Sequence, residues 1–205
     1  MAFDAAWLAL REQADARARD AAIMKRALRC VGSGAALLDL GCGTGATVRA
    51  FAAHGATELD WRLLDNDRDL LARAAAAHPQ ATTHMADLAD IDALPLEDVQ
   101  LVTASALLDL VSEDWVARFA ARLARARLPF YAVLSYDGQM HWDPAEPSDA
   151  EVTAAFNTHQ HGDKGFGPAL GPDADSTAEK IFRDHGFEVT LGQSPWQLGP
   201  QDAAL

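Results

Sequence analysis

Cysteine is nearly absent. The 205 residues include two, Cys30 and Cys42, too few for a disulfide framework, and both read as reduced, small apolar residues. Basic residues are scarce as well: seventeen Lys and Arg stand against thirty Asp and Glu, a formal charge of −13. Nucleic-acid binding needs a basic face to meet phosphates, so this balance argues against DNA or RNA as a partner. No run of 18 apolar residues exists, and no membrane span is expected. Asp4, Arg11, Glu12 and Asp15 break up the region where a signal peptide would keep an apolar core. Internal repeats are lacking, and no spacing of His, Cys or acids suggests a metal site. These absences lead to the expectation of a single cytoplasmic domain over 1–205, large enough for a layered α/β core.

The most informative stretch is Leu37-Leu38-Asp39-Leu40-Gly41-Cys42-Gly43-Thr44-Gly45. Ala35 to Leu40 is a short apolar run of the kind a buried parallel strand presents. Ala46 to Phe51 has helical composition and leads to a stop at His54-Gly55. A strand, a glycine turn and a helix in that order place backbone N–H groups beside the strand's carboxyl end, where open α/β sheets bind ligands. Gly41, Gly43 and Ala46 also fit the relaxed dinucleotide pattern G-x-G-x-x-G/A, so glycines alone leave an NAD reading open. Asp39 tilts the balance, because a carboxylate there suits a cationic amino group and gains nothing beside a pyrophosphate. Gly45 adds the tighter G-x-G-x-G spacing.

This run closely resembles motif I of the class I S-adenosylmethionine (SAM)-dependent methyltransferases. The resemblance covers roughly residues 30–136 and 175–192. It implies a three-layer, doubly wound, mainly parallel sheet of Rossmann-like type. It also implies that Asp39, Gly41, Cys42, Gly43 and Gly45 hold the methionine part of SAM. Asp65, ending a second strand at Leu59–Leu64, matches the family's ribose acid, with Asn66 beside it and Asp67 capping the next helix. Asp87 and Leu88, after a third strand at Thr82–Ala86, match the adenine-binding positions. Strand four, Val99–Ala104, leads to Ser105, a further cofactor contact, and then to Asp109, a candidate facing the acceptor. No Asn-Pro-Pro-Tyr or Asp-Pro-Pro-Tyr follows.

The remaining elements read from periodicity and caps. Residues 4–29 form one long amphipathic pattern, with Trp7 and Arg11 near its start as candidates for contact with SAM or substrate. Ser112 caps a helix from Glu113 to about Arg127, and strand five is read as Phe130–Tyr136. Ser176 is read as the cap of a helix over Thr177–His185, followed by a sixth strand at Phe187–Leu191. The family's final antiparallel strand has no counterpart. Either it is missing or a second subunit covers that side, as a dimer would.

Between about 137 and 173 the composition changes to Pro, Gly and His, with a short helix at Asp149–His159. Connections this long are usually lids or binding loops, and this one reads as a substrate cap. Tyr136, His141, Trp142, His159, His161 and Phe166 join Asp109 as candidate acceptor contacts. Asp109 and His141 head the candidates for a general base. The leading reading is therefore methyl transfer from SAM to a small molecule, leaving S-adenosylhomocysteine (SAH). The alternatives are an NAD(P)-dependent oxidoreductase, for which neither Tyr131 nor Tyr136 has a lysine four residues on, and a non-catalytic module that binds SAM or SAH.

Overall fold

The computed structural model describes residues 4–205. The chain divides into two compact units. One contains residues 4–105, 125–134 and 190–205; the other contains 106–124 and 135–189.

The first unit holds the sheet. Five parallel strands, β1 (Ala36–Leu40), β2 (Asp60–Asp65), β3 (Thr82–Met85), β4 (Leu101–Ser105) and β5 (Phe130–Val133), lie in the order β3-β2-β1-β4-β5. This is the doubly wound pattern: an open sheet flanked by helices, whose order reverses between β1 and β4. Every residue of β1 is buried, as a central parallel strand requires. Helices α1 (Ala5–Ala18), α2 (Ala21–Arg29), α3 (Ala46–Ala53) and α4 (Arg68–Ala77) belong to the same unit. Met24 and Phe51 are fully buried with Leu37, Leu63 and Leu101, and Phe51 meets Trp61 and Tyr131 edge-on at 5.2 and 5.8 Å.

Several boundaries differ from the sequence reading. The long helix over 4–29 is two helices. Arg19 leaves the helical region at ψ 126°, and the Asp20 carboxylate caps α2 by accepting from Ala22 and Ile23 N–H. A short acid that can satisfy backbone donors locally competes with helix continuation, and periodicity does not register this. Strand five stops at Val133 rather than Tyr136 because Leu134 adopts φ +61°. The sixth strand at 187–191 does not form, and no antiparallel strand occurs among the described residues.

Residues 190–205 instead run against α1 and α2. Trp196 Nε1 donates to Asp15 at 2.9 Å, and Arg17 pairs with Asp202 at 2.6 Å. The Arg11 guanidinium lies over both Trp7 and Trp196, 4.9 and 5.0 Å from the ring centroids, while also pairing with Asp15.

The second unit contains α5 (Glu113–Ala126, its last two residues in the sheet unit), α6 (Asp149–Gln160) and α7 (Ala174–Asp184). Ser112 caps α5 as read, its hydroxyl accepting from Trp115 N–H. The α7 helix begins at Ala174, two residues ahead of Ser176, whose hydroxyl donates back to the Asp173 carbonyl. An aromatic chain runs through this unit. Trp115 stacks on Phe119 at 4.8 Å, Phe119 meets Phe182, and Phe182 meets Phe187. Helix α6 has no buried residue. It is held at Asn157, which accepts from the Tyr136 hydroxyl at 2.6 Å and donates to the Gly138 carbonyl.

Candidate functional site

The turn after β1 needs its glycines. Gly41, Gly43 and Gly45 all sit at positive φ, +63°, +53° and +84°, where a Cβ is strained. At Gly45, the N-cap of α3, an added Cβ would also lie 2.6 Å from the His78 ring. Leu8 of α1 lies 3.5 Å from where a Cβ on Gly43 would stand, so α1 borders the turn. Arg49 fastens this arrangement. It pairs with Glu12 of α1, donates to the Thr44 carbonyl and hydroxyl, and approaches His78 Nε2 at 3.2 Å. Partial burial and then the Arg49 charge hold the His78 pKa below the ordinary range.

Asp39 is the most perturbed group. It is 1% exposed, and burial raises its pKa to about 6 although hydrogen bonding to Thr103, the charge of Arg19 and the nearby Thr47 hydroxyl pull the other way. Thr103 donates to Oδ1 at 2.7 Å; Oδ2 is buried without a partner. A carboxylate buried with one oxygen unmet is costly unless a donor arrives there. Cys42 is buried too, and burial together with the charges of Asp39 and Asp65 pushes its thiol up, leaving it neutral.

Asp65 shapes the same turn. Its Oδ2 accepts from Gly43 N–H at 2.8 Å and its Oδ1 from Asp67 N–H at 2.9 Å. Each oxygen keeps a second lone pair, so the carboxylate can brace the turn and still accept from a diol. Asn66 is exposed beside it. Asp87 is exposed, its Oδ1 accepting from Ala89 N–H, and Leu88 is buried near Gly41. Ser105 ends β4 and accepts from Arg19 Nη2 at 3.2 Å. All ten residues read as cofactor contacts belong to the sheet unit, at the carboxyl ends of its strands and the turns that follow. In open parallel sheets, ligands bind at the carboxyl ends of the strands beside such an order reversal.

Residues 37–129, from β1 through α5, match a methyltransferase domain family. The match covers 93 of the 205 residues. Among solved structures, the chain resembles a TehB-like SAM-dependent methyltransferase from Corynebacterium glutamicum, with 26% identity over 60% of this chain and 66% of that one and a TM-score of 0.45. It also resembles the cyclopropane synthase MmaA2 from Mycobacterium tuberculosis, with 20% identity, 83% of this chain, 61% of that one and a TM-score of 0.57. The mycolic acid cyclopropane synthase CmaA1, complexed with SAH and CTAB, gives 18% identity, the same coverages and the same TM-score. The last two likenesses concern the fold. The chain spans 61–66% of the length of these three structures. No curated protein matches it in sequence.

The residues read as acceptor contacts all fall in the other unit. Asp109 is buried, its carbonyl accepting from Gly171 N–H. Tyr136 packs edge-on against Phe156, and burial raises its phenol pKa. His141, Trp142 and His159 are exposed; His161 approaches the Ala169 carbonyl and Asp173. Phe166 packs against Trp115, a core contact inside that unit. Among the described residues no three His, Cys, Asp or Glu are grouped to hold a metal ion, and no helix is long and apolar enough to cross a membrane.

Sequence reasoning missed Arg19, Thr47, Thr103 and Arg49. Thr103 shares a row with Asp39 only because β4 lies next to β1, and no local pattern carries that adjacency.

Proposed function

We propose that the chain is a SAM-dependent methyltransferase acting on a small-molecule acceptor. The observation that carries this reading is Asp39, a fully buried acid with one oxygen unmet beside three left-handed glycines. A cationic amino group would repay its burial; a dinucleotide's pyrophosphate would aggravate it. The cradle therefore fits SAM. Asp39 holds the amino group, the glycine turn admits the chain of the methionine part, and Asp65 accepts from the ribose hydroxyls. Asp87 accepts from the adenine amine, while Leu88 lies against the ring. CmaA1, of the same fold, is complexed with SAH, which supports the same ligand here.

When bound, SAM supplies a methyl on a sulfonium, and its transfer is an in-line displacement in which the acceptor–carbon bond forms as the carbon–sulfur bond breaks, its electron pair leaving on the sulfur of SAH. The protein's part is proximity and orientation. The acceptor is assigned to the 137–173 segment, whose Trp142 and Phe156 remain exposed and whose His141 and His159 are open to polar contact. Lys164 is the lone basic side chain besides histidine there, which favours a neutral or weakly charged acceptor.

Thermal shift with SAM, SAH, NAD and NADP tests the donor: stabilisation by the first two alone is expected, and stabilisation by NAD or NADP alone would overturn the reading. Turnover of a metabolite extract with labelled SAM then tests transfer. Trp142→Ala and His141→Ala should retain SAH binding and lose turnover.

A further inference from the structure

At the end of the sheet remote from the glycine turn, the segments that lead into β1, β4 and β5 border an open cleft of about 460 Å³. It lies wholly within the sheet unit. Val99 and Gln100 precede β4, Leu128 and Pro129 precede β5, and Val31 stands just beyond the end of α2. All five strands are parallel, so their amino ends are a strand's length from the carboxyl-end turns, roughly 16 Å for five residues. The cleft is therefore a different place from the proposed SAM cradle. Its volume is that of a small-molecule site.

The lining divides by chemistry. Val99 and Leu128 are buried and Val31 and Pro129 half-buried, which makes an apolar floor. Gln100 and Arg127 are exposed beside it, and no acid lines the cleft. Lys25 and Arg29 on α2 and Arg125 on α5 add exposed cations on the two helices that end here. Among the described residues, none of these three nor Arg127 enters a side-chain hydrogen bond or an ion pair. Cations do complement helix carboxyl ends, but each end carries only about half a negative charge. Four cations exceed two such ends. Glu97 and Asp98, the acids next to Val99 in the sequence, leave the balance among these groups positive. In a chain of net charge −13, that is a local reversal of sign.

We propose that this cleft binds a small organic anion, its charged group on Arg127 and Gln100 and its apolar body on Val31, Val99, Leu128 and Pro129. A guanidinium offers a planar fork of N–H donors to carboxylate, phosphate or sulfonate oxygens, and the Gln100 amide adds two more donors. A cationic ligand would meet like charge. The site is independent of the methyl donor and stands or falls apart from the transferase reading.

The test uses 8-anilinonaphthalene-1-sulfonate, an anion on an apolar ring system, and N-phenyl-1-naphthylamine, the same rings without the sulfonate. In fluorescence titrations, wild type should hold the sulfonate dye at a single site, about tenfold or more tightly than the neutral dye. Arg127 sits at φ +56°, so Arg127→Gly suits the backbone and should abolish the preference for the anion. Gln100→Glu should reduce it. Bound sulfonate dye should also slow alkylation of Cys30 by iodoacetamide, because this exposed thiol lines the cleft while Cys42 is buried. SAH should not displace the dye. Equal binding of the two dyes by wild type, an unchanged preference in Arg127→Gly, an unprotected Cys30 or displacement by SAH would each overturn the proposal. The dye comparison and the Cys30 protection are both read on wild type, so neither depends on a variant folding.

Discussion

Asp39 illustrates how a single carboxyl can oppose stability while serving a ligand. Its folded pKa of about 6 lies above the ordinary 3.8, so the folded chain holds this proton more tightly than the unfolded one. By linkage, its contribution to stability falls as pH rises between those two values and is level above them. Asp39→Asn should therefore stabilise the ligand-free protein at neutral pH, by roughly 2–3 kcal/mol at most, while weakening SAM. In wild type, SAM affinity should rise with pH through about 6 as the acid ionises, and the Asn variant should lose that dependence. Denaturant melts and calorimetry across this range check both. An affinity flat across it would separate Asp39 from the ligand. Asp65→Ala should cost SAM binding about 1–3 kcal/mol, and should also lower the melting temperature because Gly43 N–H loses its acceptor. A variant with unaltered SAM affinity would exclude Asp65 from the site. Asp39, Asp65 and the glycines were legible in the sequence because their chemistry is local, set by a strand end and the turn after it. Thr103 and Arg19 were not, because Thr103 meets Asp39 through the lateral order of strands and Arg19 acts on it from a helix break.

At the scale of elements, the turn between β1 and α3 separates two kinds of glycine requirement. Gly41→Ala places its Cβ 3.8 Å from Leu88, so only the left-handed backbone is taxed, about 1–2 kcal/mol. Gly45→Ala meets the same tax and sets its Cβ against the His78 ring at 2.6 Å. Gly45→Ala should therefore be the more destabilising of the two in chemical denaturation. The reverse order would mean that the His78 ring and its Arg49 contact yield freely. The sequence disclosed the existence and order of β1–β5 and the helices between them, because each carries a clear apolar run or cap. It misjudged ends where one residue's backbone decides. Leu134 at positive φ ends β5 early, and the Asp20 cap starts a new helix inside an unbroken apolar rhythm. Strand six failed for a different reason: a run of suitable composition still needs a ladder partner, and residues 187–191 have none.

For the whole molecule, the charge of −13 predicts behaviour that no single contact shows. Self-repulsion opposes compactness, and screening relieves it. The melting temperature should rise as sodium chloride increases from about 10 mM to about 200 mM, a range over which the Debye length shrinks severalfold. A falling melting temperature would mean that ion pairs such as Arg49–Glu12 and Arg17–Asp202 outweigh the net repulsion. Duplex DNA should give no binding at about 0.1 M salt.

The attachment of residues 190–205 to α1 bears on the order in which the protein is made. Asp15 waits for Trp196, 181 positions later, and Arg17 for Asp202, 185 positions later. During synthesis the first helix leaves the ribosome long before its partners do, and contacts of such sequence separation are closed last. Nascent chains arrested before Trp196 should therefore leave α1 open to proteolysis even with the strands complete. The helix bordering the glycine turn would settle only after residues 196–202 have been made.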